Sequence, residues 1–305
     1  MGKIYDYSDI ANHNIPCPKD FALTKQLILE GLSAQVEKGE VLGAKVFGSV
    51  ALGKPSVRSD FDLVVILEDE KANAGLIDCV ERVHEKTHVE IEPVAISKSF
   101  AEQGLHNIDR LYYGHIISVP SDGNEVGQPI VSILKPLSTP IVEVHKQYLT
   151  QKVRRFRSGL FTHSESQKNQ TLQRALEAPA NIGRRMLQTL SWMGLITTQV
   201  DVDDSKSIVY SEYRRIFGNS DTFQRGFDFL VLKDAEYVNV LRDAMQGKTT
   251  QQEYEAYIKD TYQECIPQAI AWTSELLSLH SGLIEGNTVS KEDASARRCG
   301  KEQLL

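Results

Sequence analysis

The chain has 305 residues, 41% apolar and 25% charged, with a formal net charge of −7. This suits one large globular domain or two ordinary ones, not a disordered chain, and the acidic balance argues against a general nucleic-acid binder. No apolar run approaches the roughly eighteen residues that would span a bilayer, and "MGKIYDYSDIANHN" lacks a signal-peptide core, so the expected location is cytoplasmic.

In chain order, Asp20 can cap a helix whose apolar positions Leu23, Leu27, Ile28, Leu32 and Val36 follow helical spacing, with Gly39 and Gly43 closing it. Residues 44–48 read as a strand, 60–67 as a second strand and 70–87 as a helix. "HVEIEPVAI" (88–96) reads as a third strand, in which Pro93 predicts an edge position or a bulge. This order predicts a mixed α/β unit. Residues 97–140 are transitional, with turn chemistry at "SVPSDGNEVGQP". Helical patterns then run over about 141–157, 165–193, 208–216, 222–246 and 250–284. The expected domains are 1–140, a helical 141–286, and a polar, disordered tail at 287–305. There is no internal repeat. Cys17, Cys79, Cys265 and Cys299 form no CxxC pair, so they read as reduced thiols.

The chemistry concentrates in "VFGSVALGKPSVRSDFDLVVIL" (46–67). Alternate residues of a strand share a face, so Asp60 and Asp62 point one way while Phe61, Leu63, Val65 and Leu67 point the other. Glu90 and Glu92 likewise share a face of the third strand. If the two strands are neighbours, up to four carboxylates meet on one patch. Carboxylates that close repel strongly unless cations intervene, and Mg²⁺ takes oxygen ligands together with phosphate. Gly48 lets the backbone approach a ligand closely, and the Ser49 hydroxyl with nearby N–H groups can hold phosphate oxygens. Lys54 and Arg58 can add positive charge.

"GSVALGKPSVRSDFDL" resembles the signature of the DNA polymerase β-type nucleotidyltransferase superfamily: a Gly-Ser pair, ten residues, then Asp-x-Asp. Ser59 to Leu63 is similar to the Ser-Asp-h-Asp-Leu ending of the minimal and aminoglycoside nucleotidyltransferases. The resemblance covers about residues 20–120, including the Gly114 segment "LYYGHIIS". It implies an α+β fold, a small mixed-sheet nucleotidyltransferase domain followed by an all-α domain. It implies that Asp60 and Asp62 bind two Mg²⁺ ions and that Gly48 and Ser49, with Ser59, hold the triphosphate of ATP or another NTP. "HVEIEP" resembles the acidic strand of such enzymes, which gives Glu90 the third metal position, with Glu92 competing from the same face. Glu177 in "RALEAPANIGRR" is placed similarly to their general base, although Pro179 departs from a plain helix there.

The acceptor leaves no motif. A small, cationic, aminoglycoside-like molecule is expected first; a protein or tRNA acceptor is the second option, and an inactive nucleotide-binding module the third. "KVRRFR" (152–157), with Arg184 and Arg185, is either a solvated helix face or a surface for phosphate or RNA. His88 abuts the acidic strand, within reach of a ligand carboxylate. Tyr254, Tyr257, Tyr262 and Trp272 fit helix-core packing. Oligomeric state is open, with a homodimer allowed.

Overall fold

The structure is a computed structural model that describes residues 3–69, 73–197, 206–217 and 219–302, with side chains up to 284. It divides into two compact units. The first comprises Met1–Pro140 and Val240–Tyr257; the second comprises Ile141–Asn239 and Ile258–Leu305.

The first unit contains α1 (Tyr7–Ala11), α2 (Pro18–Glu37), β1 (Val41–Phe47), α3 (Gly48–Ala51), β2 (Phe61–Leu67) and α4 (Asn73–Thr87). After these come β3 (Ile91–Ser97), α5 (Lys98–Gln103), α6 (Arg110–Ile117), β4 (Glu125–Gly127) and α7 (Ile130–Ile133). The strands form one sheet in the order β3-β2-β1-β4. β1 is antiparallel to both β2 and β4, and β2 is parallel to β3. A parallel pair needs a crossover, and α4 supplies it. Pro93 does lie on an edge strand, where a missing N–H costs least.

Local chemistry sets the element ends. α2 starts at Pro18, and its N3 residue Asp20 reaches back so that the Cys17 N–H donates to Oδ2 at 2.7 Å. Asp20 therefore caps from inside the helix rather than preceding it. Gly39, at φ +74°, follows the helix end. Gly43 does not close the helix but lies within β1, where a Cβ would stand 2.2 Å from the Gln128 carbonyl oxygen. The register shift between Val41 and Gly43 puts Val41 on one face with Ala44 and Val46.

Helices cover both faces of the sheet. On one, Val46, Phe61, Leu63 and Val65 pack with Phe21, Ile28 and Leu32 of α2 and Leu76, Cys79 and Val83 of α4. On the other, Phe47, Val64, Ile66 and Ile96 pack with Ala101, Ile116 and Ile130 from α5, α6 and α7. Hence residues 63–67 are apolar without alternation, as a strand buried on both faces requires.

The second unit is helical: α8 (Ile141–Gly159), α9 (Glu165–Trp192), α10 (Lys206–Phe217), most of α11 (Asp221–Met245) and α12 (Gln251–Glu302) from Ile258 onward. Its core includes Tyr213, Phe223, Phe227 and Trp272, with ring centroids 5.5 to 6.1 Å apart for the stacked and tilted pairs among them. α9 runs on through Pro179. The expected disordered tail at 287–305 falls where side chains, and beyond Glu302 the backbone too, lie outside the described residues. Among the described residues no helix is long and apolar enough to cross a membrane.

Candidate active site

The site grows from the turn between β1 and β2. Phe47 pairs with Asp62 across the antiparallel ladder, and Gly48 follows immediately at φ +71°. A Cβ at position 48 would stand 2.1 Å from Asp62 Oδ2. No side chain fits there, so glycine is needed both for its backbone conformation and for the carboxylate packed upon it. Phe47 is boxed edge-on by Tyr112, at 5.8 Å between centroids, and His115, at 5.4 Å, both from the α6 segment that carries Gly114.

The loop back to β2 is tied at several points. Ser49 Oγ donates to Ser59 Oγ at 3.1 Å, and the Ser56 N–H donates to the same oxygen at 2.9 Å. Tyr5 donates its hydroxyl proton to the Val57 carbonyl, the Lys3 N–H donates to the Arg58 carbonyl at 2.6 Å, and Arg58 Nε donates back to the Lys3 carbonyl at 3.3 Å. Arg58 is buried in this lacing, whereas Lys54 is exposed. Asp60 follows, half-buried, one residue before β2.

The acidic strand is the neighbour that the carboxylate argument requires. Parallel pairing puts Phe61 against Ile91 and Asp62 against Glu92. Asp62 and Glu92 therefore share a sheet face in register. Glu90 precedes β3; its carbonyl accepts the Phe61 N–H at 3.1 Å, and its carboxylate pairs with Lys3 Nζ at 3.4 Å. His88 is at φ +54°, just past the end of α4.

Among the described residues no three His, Cys, Asp or Glu side chains close on a common point. The donor type, oxygen alone, is nevertheless the one a hard divalent cation takes. Asp60, Asp62 and Glu92 offer only carboxylate oxygens, and such an ion completes its shell from phosphate.

Glu177 belongs to the helical unit. It is buried on α9, and Asn181 Nδ2 donates to its Oε2 at 3.2 Å. Burial first, then the charges of Asp234 and Glu177, push the nearby Tyr210 phenol above its usual range.

Two further features of the site stand outside the motif. Lys45 is only 2% exposed, on the same sheet face as Phe47 and Asp62, with Nζ 3.4 Å from Ser121 Oγ. A lone cation in "VLGAKVF" was the available signal. The lacing by Tyr5 and Lys3 had none, because it depends on contacts 52 to 55 residues apart.

Fold and turn together set a Gly-Ser turn against the carboxylate of Asp62 at one end of a four-stranded mixed sheet. Residues 28–107 match the model of a family described as nucleotidyltransferase domain, consistent with the DNA polymerase β-type superfamily. The matched span runs from the middle of α2 past α5, and so holds the whole Gly48–Glu92 constellation. It supports transfer of a nucleoside monophosphate from a nucleoside triphosphate, hence a transferase. No curated protein matches the chain.

Proposed function

We propose that the protein moves a nucleoside monophosphate, AMP from ATP in the first instance, onto an acceptor hydroxyl. The observation that supports this is the close approach of Gly48 to the Asp62 carboxylate, which sets the Gly-Ser turn, whose N–H groups suit phosphate, directly against an acidic side chain. In this reading Gly48 and Ser49 take the triphosphate, and Ser59 orients Ser49. Lys54 is the exposed cation of the loop. Arg58 serves by holding the loop to the N-terminal segment.

Asp60 and Asp62 would hold two Mg²⁺ ions. The third carboxylate is assigned to Glu92 rather than Glu90, because Glu92 is in register with Asp62 whereas Lys3 neutralises Glu90. When bound, the metal ions supply charge neutralisation at the transferring phosphate and at the departing pyrophosphate. The acceptor hydroxyl must lose a proton as its oxygen forms the bond to phosphorus. The family resemblance supports Glu177 as the proton acceptor. A small, cationic, aminoglycoside-like acceptor is supported by that same resemblance and by the acidic net charge.

The test is incubation of the full chain with labelled ATP, Mg²⁺ and a panel of small-molecule, RNA and protein acceptors. Labelled product and pyrophosphate are expected with one class, and should vanish in Asp60→Ala and Asp62→Ala. Near wild-type transfer by either variant would remove the site assignment. Absence of both product and nucleotide binding would leave only an inactive module. Glu177→Gln should cut the rate by about 10²-fold; normal transfer by that variant removes the base alone.

A further inference from the structure

The transfer reaction leaves the arginine-rich stretch 152–157 without a role. α8 divides that stretch by face. Phe156 and Lys152 turn inward, the lysine Nζ lying 5.1 Å from the centre of the Tyr148 ring. Arg154 and Arg157, one turn apart, are exposed. Beside them runs a groove of about 540 Å³ between α8 and α12, with Val153 and Leu277 among its apolar lining. Its walls carry the two guanidinium groups and the hydroxyls of Ser158 and Ser274, and no carboxylate lines it among the described residues. Neither guanidinium is taken up by an ion pair among those residues. Phe161 also lines it and is 78% exposed, the most exposed large apolar side chain among those described.

These parts ask for one kind of ligand. Two planar guanidinium forks at i and i+3, without an acid to satisfy them, suit a phosphate rather than a cation. A bare aromatic ring beside apolar lining suits a flat ring that can stack. The groove's volume is that of a small-molecule site, which runs from about 300 to 1,000 Å³. We propose that this groove binds a nucleoside phosphate, with the phosphate on Arg154 and Arg157 and the base stacked on Phe161. It is a second nucleotide site, built wholly within the helical unit, and it stands independently of the transfer reaction. The same chemistry is offered by a free nucleotide and by the end of a single strand.

Binding is measured on the full chain in EDTA, in an Asp60→Ala/Asp62→Ala background that disables the carboxylate site. The probes are AMP, a short single-stranded oligoadenylate, inorganic phosphate and a glutamate-rich peptide. AMP or the oligoadenylate should bind, with affinity falling about tenfold in Phe161→Ala and at least as much in Arg154→Ala/Arg157→Ala. All three side chains are exposed, so the fold should be unchanged. An oligoadenylate that binds more tightly than AMP and weakens steeply with salt assigns the site to a strand; equal binding assigns it to the free nucleotide. Three results would overturn the proposal: no binding of either nucleotide probe, binding of phosphate or the peptide as tight as AMP, or full affinity in Phe161→Ala.

Discussion

Gly48 carries two constraints at once, a backbone conformation at φ +71° and the absence of any atom where Asp62 Oδ2 lies. Alanine there must both strain the turn and push the carboxylate away. Gly48→Ala should therefore lower turnover by more than 10²-fold and cost about 1–3 kcal/mol of stability, measured by steady-state kinetics and urea unfolding. A variant with unchanged kinetics would mean that the carboxylate's position does not matter. The acidic strand offers a second residue-scale contrast. Glu92→Gln should abolish transfer, while Glu90→Gln, which only unpairs Lys3, should retain most of it. The reverse order would return the third position to Glu90. Both comparisons need only rates and a metal titration. The Gly-Ser and Asp-x-Asp residues were legible in the sequence because their chemistry is local. The register that sets Glu92, rather than Glu90, opposite Asp62 was not, because alternation puts both glutamates on one face.

The long helices and the apolar run of β2 were legible, since helical periodicity specifies a buried face and an unbroken apolar run a strand buried on both. The short elements were not. β4 has three residues inside a stretch rich in turn chemistry, and only pairing with β1 makes it a strand. Pro179 is accommodated within α9 because the helix is held by packing on its buried face, with Leu172, Leu176, Met186 and Leu187 all inaccessible. Between helices, α8, α9 and α12 share a buried polar contact. His145 Nδ1 lies 2.6 Å from Thr189 Oγ1, and its ring is 4.4 Å from that of His280. Burial, with the charge of Lys146 adding, holds His145 down at about 4; burial and His145 hold His280 well below its ordinary value. The folded state thus keeps neutral rings, whereas the unfolded chain protonates them near pH 6.5. Stability should be full above about pH 6.5 and decline as pH falls towards 4, by about 3 kcal/mol for His145 alone. Urea midpoints at pH 7.5 and 5 test this. A flat profile would show that the pair is not buried in its neutral form.

At the scale of the whole molecule, the chain leaves the first unit at residue 140 and returns to it at 240–257. In that return segment Tyr254 donates its hydroxyl to the Tyr5 carbonyl at 2.9 Å, and its ring lies 6.0 Å from that of Tyr7. Tyr5 in turn holds Val57, three residues before Asp60. A late segment thereby supports the loop that leads into the acidic pair. Tyr254→Phe should cost about 1 kcal/mol in urea unfolding and lower kcat more than it changes the KM for nucleotide. An effect on stability with kinetics untouched would limit the tyrosine to a structural role. The aromatic pattern of this region predicts core packing, and Tyr254 is buried. Which core it joins follows only from the return of residues 240–257 to the first unit.

By itself the sequence determined that a Gly-Ser turn precedes two aspartates at the entry of an apolar strand, and that long helices follow. Those are properties of neighbouring residues and of periodicity, which act over a few positions. Tertiary structure alone decided that β3 lies parallel beside β2 with Glu92 opposite Asp62, that the N-terminal segment laces the loop before Asp60, and that residues 240–257 return to the first unit. Each of these is a contact between distant parts of the chain. It is selected by which apolar faces can be buried together, and no local pattern encodes that choice.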